Sequence, residues 1–142
     1  MTTTAWAHLP NAKHIDAVLS DVRKRPEAWK RAYILAVAGK RCKHWDAAWD
    51  LAWATARNLT RVTERFRAWD GAWNAVRSAT GRHANIHVAA WGLTSALIDW
   101  DSAADLLDCT PDVLRAMIDL AEPPVCHQAA LLLPYAIVRF GA

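Results

Sequence analysis

Apolar residues recur at helical spacing along nearly the whole chain. In "NAKHIDAVLSDVRKR", residues 11–25, Ile15, Val18, Leu19 and Val22 fall on one stripe, which predicts a first helix capped by Asn11. Pro26 stands where a second helix should begin and Gly39 where it should end, with Trp29, Ala32, Tyr33, Ala36 and Val37 on a shared face. The third segment has a seam of Trp45, Trp49, Ala52, Ala56, Leu59, Val62, Phe66, Trp69, Trp73 and Val76. Its steps alternate four and three, with one extra three at Leu59, which suits antiparallel helix packing. No proline interrupts the run, so we expect one long helix from about Cys42 to Ala79 rather than two joined near "RNLTR".

Gly81 then breaks the chain, and Ile86, Ala90, Leu93, Leu97, Trp100, Ala104 and Leu107 form a second unbroken seam. Two seamed segments joined by a short glycine turn predict a long central helical hairpin. Thr110 as cap, Pro111 in the first turn, and Val113, Leu114, Met117 and Ile118 mark a further helix. After "EPP" at 122–124, residues Val125 to Phe140 are apolar almost all round, so that segment is buried in its own domain or against another subunit. The expected fold is all-α: residues 1–142 as a single-domain bundle of five or six helices. Alanine is the commonest residue, and the few glycines (5) and prolines (6) agree with that class.

Nine tryptophans and an uneven charge distribution turn attention to binding. Residues 1–80 carry 14 Lys and Arg against 7 Asp and Glu; residues 81–142 carry 3 against 7. Such asymmetry suits either an anionic partner or two halves that attract each other. Within "HWDAAWDLAWATARNLTRVTERFRAWDGAWNAVR", residues 44–77, every fourth position from Trp45 reads Trp45, Trp49, Trp53, Arg57, Arg61, Arg65, Trp69, Trp73, Arg77. Trp45, Trp49, Trp69 and Trp73 lie on the seam and read as core. Trp53 lies beside the seam, next to an arc of Arg57, Arg61 and Arg65 that faces away from it on a straight helix. Such a row is commonly a solvated face, but guanidinium groups can also clamp phosphate while an adjoining ring stacks on a base. Trp53, Arg57, Arg61, Arg65 and Trp69 are therefore the candidate ligand-binding residues.

Other constellations carry less. His83 and His87 are one turn apart without a zinc-type spacing, and no nucleophile–base motif, P-loop or GxGxxG occurs, so we expect no metal, no cofactor and no enzyme activity. Cys42, Cys109 and Cys126 are odd in number and widely spaced, which suggests reduced thiols. The first residues, "MTTTAWAHLPNAKH", have no apolar signal region, and the longest apolar run is too short to span a bilayer; no membrane role is expected. "DSAADLLDCTPDVLRAMIDL", 101–120, resembles the helix-turn-helix pattern of bacterial regulators. Its would-be reading helix carries Asp112, Asp119 and Glu122 against Arg115 alone, which argues against specific DNA binding.

"LPNAKHID" (9–16), "WDAAWD" (45–50), "SALIDWDSAADLLD" (95–108) and "LLLP" (131–134) together resemble small Ala/Trp/Asp-rich accessory proteins of bacteriophage and prophage genomes, a group with no established activity. In their usual form the Trp-Asp run continues into Ala-Asp repeats, whereas "LTRVTERFR" interrupts it here. The resemblance implies a bacterial cytosol and a class rich in inhibitors of host defence. The first expectation is a non-enzymatic protein that sequesters an anionic, base-containing small molecule such as a nucleotide signal, at a subunit interface of a homo-oligomer. A second is an inhibitor that docks on a host defence protein through Arg23, Lys24, Arg25, Lys30, Arg31, Lys40 and Arg41. A third is an assembly protein that oligomerises through its apolar C-terminus.

Overall fold

The computed structural model describes residues 4–38, 43–61 and 64–141, with the side chains of residues 38 and 59–61 outside that description. The described residues form α1 (Ala12–Lys24), α2 (Pro26–Ala38), α3 (Trp45–Arg61), α4 (Phe66–Thr80), α5 (Ala84–Asp99), a 3-10 helix (Asp101–Leu106), α6 (Pro111–Leu120) and α7 (Val125–Phe140). The all-helical class is as expected. The helices outnumber the five or six predicted because both long segments are broken.

The expected helix over 42–79 is two helices, and the hairpin through Gly81 joins only α4 to α5. The reason lies in the phase of the buried stripes. On α3 the core side carries Trp45, Ala48, Trp49, Ala52 and Ala56; on α4 it carries Ala68, Ala72 and Val76. At about 100° per residue, one straight helix would point these two stripes to nearly opposite sides. Breaking the helix lets α3 pack on α5 and α7 while α4 packs on α1 and α5. Phe66, expected in the seam, is consequently exposed.

The second break follows α5. Trp100 is extended (φ −126°, ψ 110°), and the seam resumes only as the 3-10 helix. Helix ends leave carbonyls without internal partners. Here Asn11 supplies them: its Nδ2 donates to the carbonyls of Leu97, Trp100 and Asp101 at 3.0, 3.3 and 3.2 Å. Asn11 precedes α1 as predicted, but its side chain makes no capping bond to α1 and is buried against α5 instead. Thr110 does cap α6, its hydroxyl accepting from the Val113 N–H. Gly39 and Cys42 lie outside the described residues, and Val37 is exposed rather than packed with Trp29, Ala32 and Ala36.

The C-terminal segment is the bundle's internal helix. α7 is covered by α2, α3, α5 and α6, and its residues from Cys126 to Pro134 are all buried within this chain. The helix-turn-helix-like α6 lies on α7 through Leu114 and Ile118, with Arg115 buried and bonded to Asp112. Pro134 sits inside α7 and has no N–H to offer the carbonyl four residues earlier. That carbonyl, Ala130, instead accepts from the Trp45 indole N–H of α3 at 3.3 Å. No described helix is long and apolar enough to cross a membrane.

This bond makes a prediction. Trp45→Phe keeps a ring but leaves a buried carbonyl without a donor, which costs about 1–3 kcal/mol. In a Pro134→Ala background the restored N–H can serve Ala130, so the same Trp45→Phe change should cost less. Urea unfolding of the four proteins measures both; equal costs in the two backgrounds would break the link.

Candidate ligand-binding groove

Four-residue spacing puts successive rings on one side of a helix, and two such ladders meet here. On α3, Trp45 and Trp49 lie 5.1 Å apart and Trp49 and Trp53 5.9 Å, tilted by 32° and 30°. On α4, Phe66 and Trp69 are 6.3 Å apart and Trp69 and Trp73 6.5 Å, nearly parallel at 19° and 11°. The two indoles of the second ladder press edgewise on Trp91 of α5, Trp69 at 4.8 Å and Trp73 at 4.9 Å. These offset and edge-to-face arrangements match ring quadrupoles. Gly92 admits the first ladder, since a Cβ there would stand 2.7 Å from Cη2 of Trp49.

Trp45 and Trp49 are core, as expected, and so are Trp6, Trp29 and Trp91. Trp69 and Trp73 are only half-buried, which corrects their assignment to the core. Their α4 backbone is instead buried through the small stripe of Ala68, Ala72 and Val76, and the rings flank it. Trp53 is half-buried too.

The half-buried rings enclose a groove. An open hollow of about 380 Å³ is lined by Trp53, Arg57, Phe66, Trp69, Asp70, Trp73 and Trp91. A second, of about 560 Å³, is lined by Trp49, Asp50, Trp53, Ala54, Arg57, Asn58 and Val88. Each lies within the range of small-molecule sites, about 300–1,000 Å³. Trp53 and Arg57 belong to both, and a narrow cleft beneath reaches Ser95 and Leu131.

The five predicted residues divide. Trp53, Arg57 and Trp69 come together in this groove. Arg57 is exposed and forms no ion pair among the described residues. The Arg61 side chain lies outside the described residues. Arg65 is placed elsewhere: after the helix break it donates to the Ile98 carbonyl at 2.7 Å and grips the Asp101 carboxylate with both terminal nitrogens, at 2.9 and 3.3 Å. It ties the start of α4 to the end of α5 and is a structural clamp.

Sequence reasoning missed Trp73, Trp91, Asp50 and Asp70 as groove residues. The four-residue Trp spacing was visible in the sequence, but the tertiary meeting of α3 and α4 over Trp91 was not. Trp69 adds a chemical signal: its indole Nε1 is buried with no acceptor among the described residues. Trp6, Trp29 and Trp45 donate theirs to Asp16, Asp21 and the Ala130 carbonyl.

His87, half of the predicted histidine pair, leans edgewise on Trp73 at 4.8 Å and faces the Thr80 hydroxyl at 3.4 Å. Burial, then the Arg77 guanidinium, hold its imidazole below the ordinary 6.5. Burial does the same to His127 inside α7. No group of three or more metal-ligating side chains occurs among the described residues.

No protein-family model, no curated protein and no solved structure matches the chain.

The two histidines set a pH dependence. A depressed folded-state value means that the unfolded chain binds more protons in the histidine range, so stability is present above about pH 6.5 and is lost as pH falls below it. The urea midpoint should drop between about pH 7.5 and about pH 5.5, and His87→Gln should flatten that drop. An unchanged pH profile in the variant would remove His87 from the account.

Proposed function

We propose that this protein is a non-enzymatic binder of a small, base-containing anion, held in the groove between α3, α4 and α5. One observation carries the reading: Trp53 and Arg57 line both hollows of a groove whose aromatic wall includes the half-buried Trp69 and Trp73. A partly exposed indole can stack on a planar base, and a guanidinium supplies paired donors to a phosphate. The Trp69 N–H is a buried donor without an acceptor among the described residues, and a ligand that displaced the ring would satisfy it. Arg65 takes no part, because it is committed to Asp101 and Ile98. Sequestering a nucleotide-like signal, to the detriment of a host defence, is the role the phage resemblance adds.

A second reading has its own observation. The outer face of α2 exposes Ile34 (47%), Leu35 (38%) and Val37 (48%) beside Lys30 and Arg31, a contiguous apolar surface with a basic edge. That is the part of the basic N-terminal half on which a protein partner would dock. Arg25, another residue of that set, is already paired with Asp21.

The groove reading predicts discrete added mass when the purified chain meets a nucleotide panel in native mass spectrometry. Trp53→Ala should weaken the bound nucleotide by about 1–3 kcal/mol, the value of one base stack. Arg57→Ala should cost about 1.5–3 kcal/mol, as for hydrogen bonds to charged groups. Helical content by circular dichroism should stay unchanged in both. A panel in which no nucleotide adds mass would turn the assignment toward the α2 surface.

A further inference from the structure

We propose that the groove's ligand carries two bases joined by one singly charged phosphodiester, a dinucleoside monophosphate. This deepens the binding reading above and rests on it. The groove has two lobes rather than one, and the residues common to both are Trp53 and Arg57. The only guanidinium among the described lining residues therefore stands at the boundary, where the linker between two halves of a ligand would pass.

Charge narrows the class. Each lobe holds a carboxylate, Asp70 beside the aromatic walls and Asp50 in the other hollow. A carboxylate accepts hydrogen bonds from exocyclic amines and ribose hydroxyls and repels phosphate. A terminal phosphate dianion or a polyphosphate lying in either lobe would face Asp50 or Asp70. A phosphodiester carries a single charge, sits between two nucleosides, and meets Arg57 while the amine-bearing edges of the bases meet the carboxylates. The aromatic lobe offers the exposed Phe66 and the half-buried Trp69 and Trp73 for one base, with buried Trp91 behind them. The second lobe offers the half-buried Trp53 and Val88 and the Asn58 amide for the other, with buried Trp49 behind them.

The test titrates the full chain with adenylyl-adenosine (one 3′,5′-phosphodiester), AMP, adenosine and ATP, following tryptophan fluorescence and calorimetry. We expect adenylyl-adenosine to bind at least about tenfold more tightly than AMP, the gain of a second modest stack, and ATP to bind more weakly than AMP. Asn58→Trp, on the exposed side of α3, fills the second lobe and should abolish the advantage of the dinucleoside. Asp50→Asn should narrow the penalty on ATP. AMP binding as tightly as adenylyl-adenosine would overturn the two-base inference while leaving the nucleotide reading in place. ATP binding most tightly would overturn the charge reasoning. If none of the four binds, the inference and the reading beneath it both fall.

Discussion

The bond from Trp45 to the Ala130 carbonyl holds the candidate site in place, although it lies outside the groove. α7 is buried from Cys126 to Pro134, so the Ala130 carbonyl in that stretch cannot turn to water. Pro134 leaves it without its helical donor, and only a neighbouring helix can make up the loss. Trp45 does so at 3.3 Å, which fixes where the first turn of α3 stands and how it is rotated. Trp49 then falls one turn on, over the gap left by Gly92. Trp53 falls one turn further, at the edge where α3 no longer covers the core. The ring that borders both hollows is thus positioned by a missing N–H on another helix.

α5 imposes the second constraint. Every residue from Ala89 to Ile98 is buried, so the end of this helix must be closed by side chains from elsewhere. Asn11 and Arg65 close it, one from each end of the N-terminal half. Using Arg65 this way removes a cation from the groove and places it against Asp101, an acidic residue of the C-terminal half. Arg139 with Asp108 is a further pair, within the C-terminal half itself. Exposed pairs contribute little individually, about 0–1 kcal/mol, but their direction matters for function. Part of the charge asymmetry between the halves is spent within the fold, which leaves Arg57 with Asp50 and Asp70 to set the polarity of the groove.

Much of the bundle was legible in periodicity. The stripe of Ile15, Val18, Leu19 and Val22, the start at Pro26, the Thr110–Pro111 cap and the buried character of the last helix all follow from local pattern. The break between α3 and α4 was hidden because Trp69 and Trp73 continue a four-residue rhythm on large rings. The true core stripe there is Ala68, Ala72 and Val76, small residues that a reading weighted toward aromatics passes over. Asn11 looked like a local cap because only the tertiary fold brings Leu97 and Trp100 to it. For the site, Trp53, Arg57 and Trp69 could be read from spacing, since exposure beside a seam is a one-helix property. Trp91, Asp50 and Asp70 could not, since their role depends on how three helices meet.

A groove between helices can also be a plain packing shortfall, and the indole N–H groups bear on the difference. Three of the core indoles have acceptors: Trp6 with Asp16, Trp29 with Asp21, Trp45 with Ala130. Two of those acceptors are carboxylates, placed for the purpose on α1. Trp69, on the wall of the groove, has its N–H buried and unmatched. A buried donor left without an acceptor costs about 1–3 kcal/mol. Because that atom is closed to solvent, an acceptor on a bound base would recover the energy only by shifting the Trp69 ring, which ties the donor to a rearrangement of the groove wall rather than to the open hollow itself.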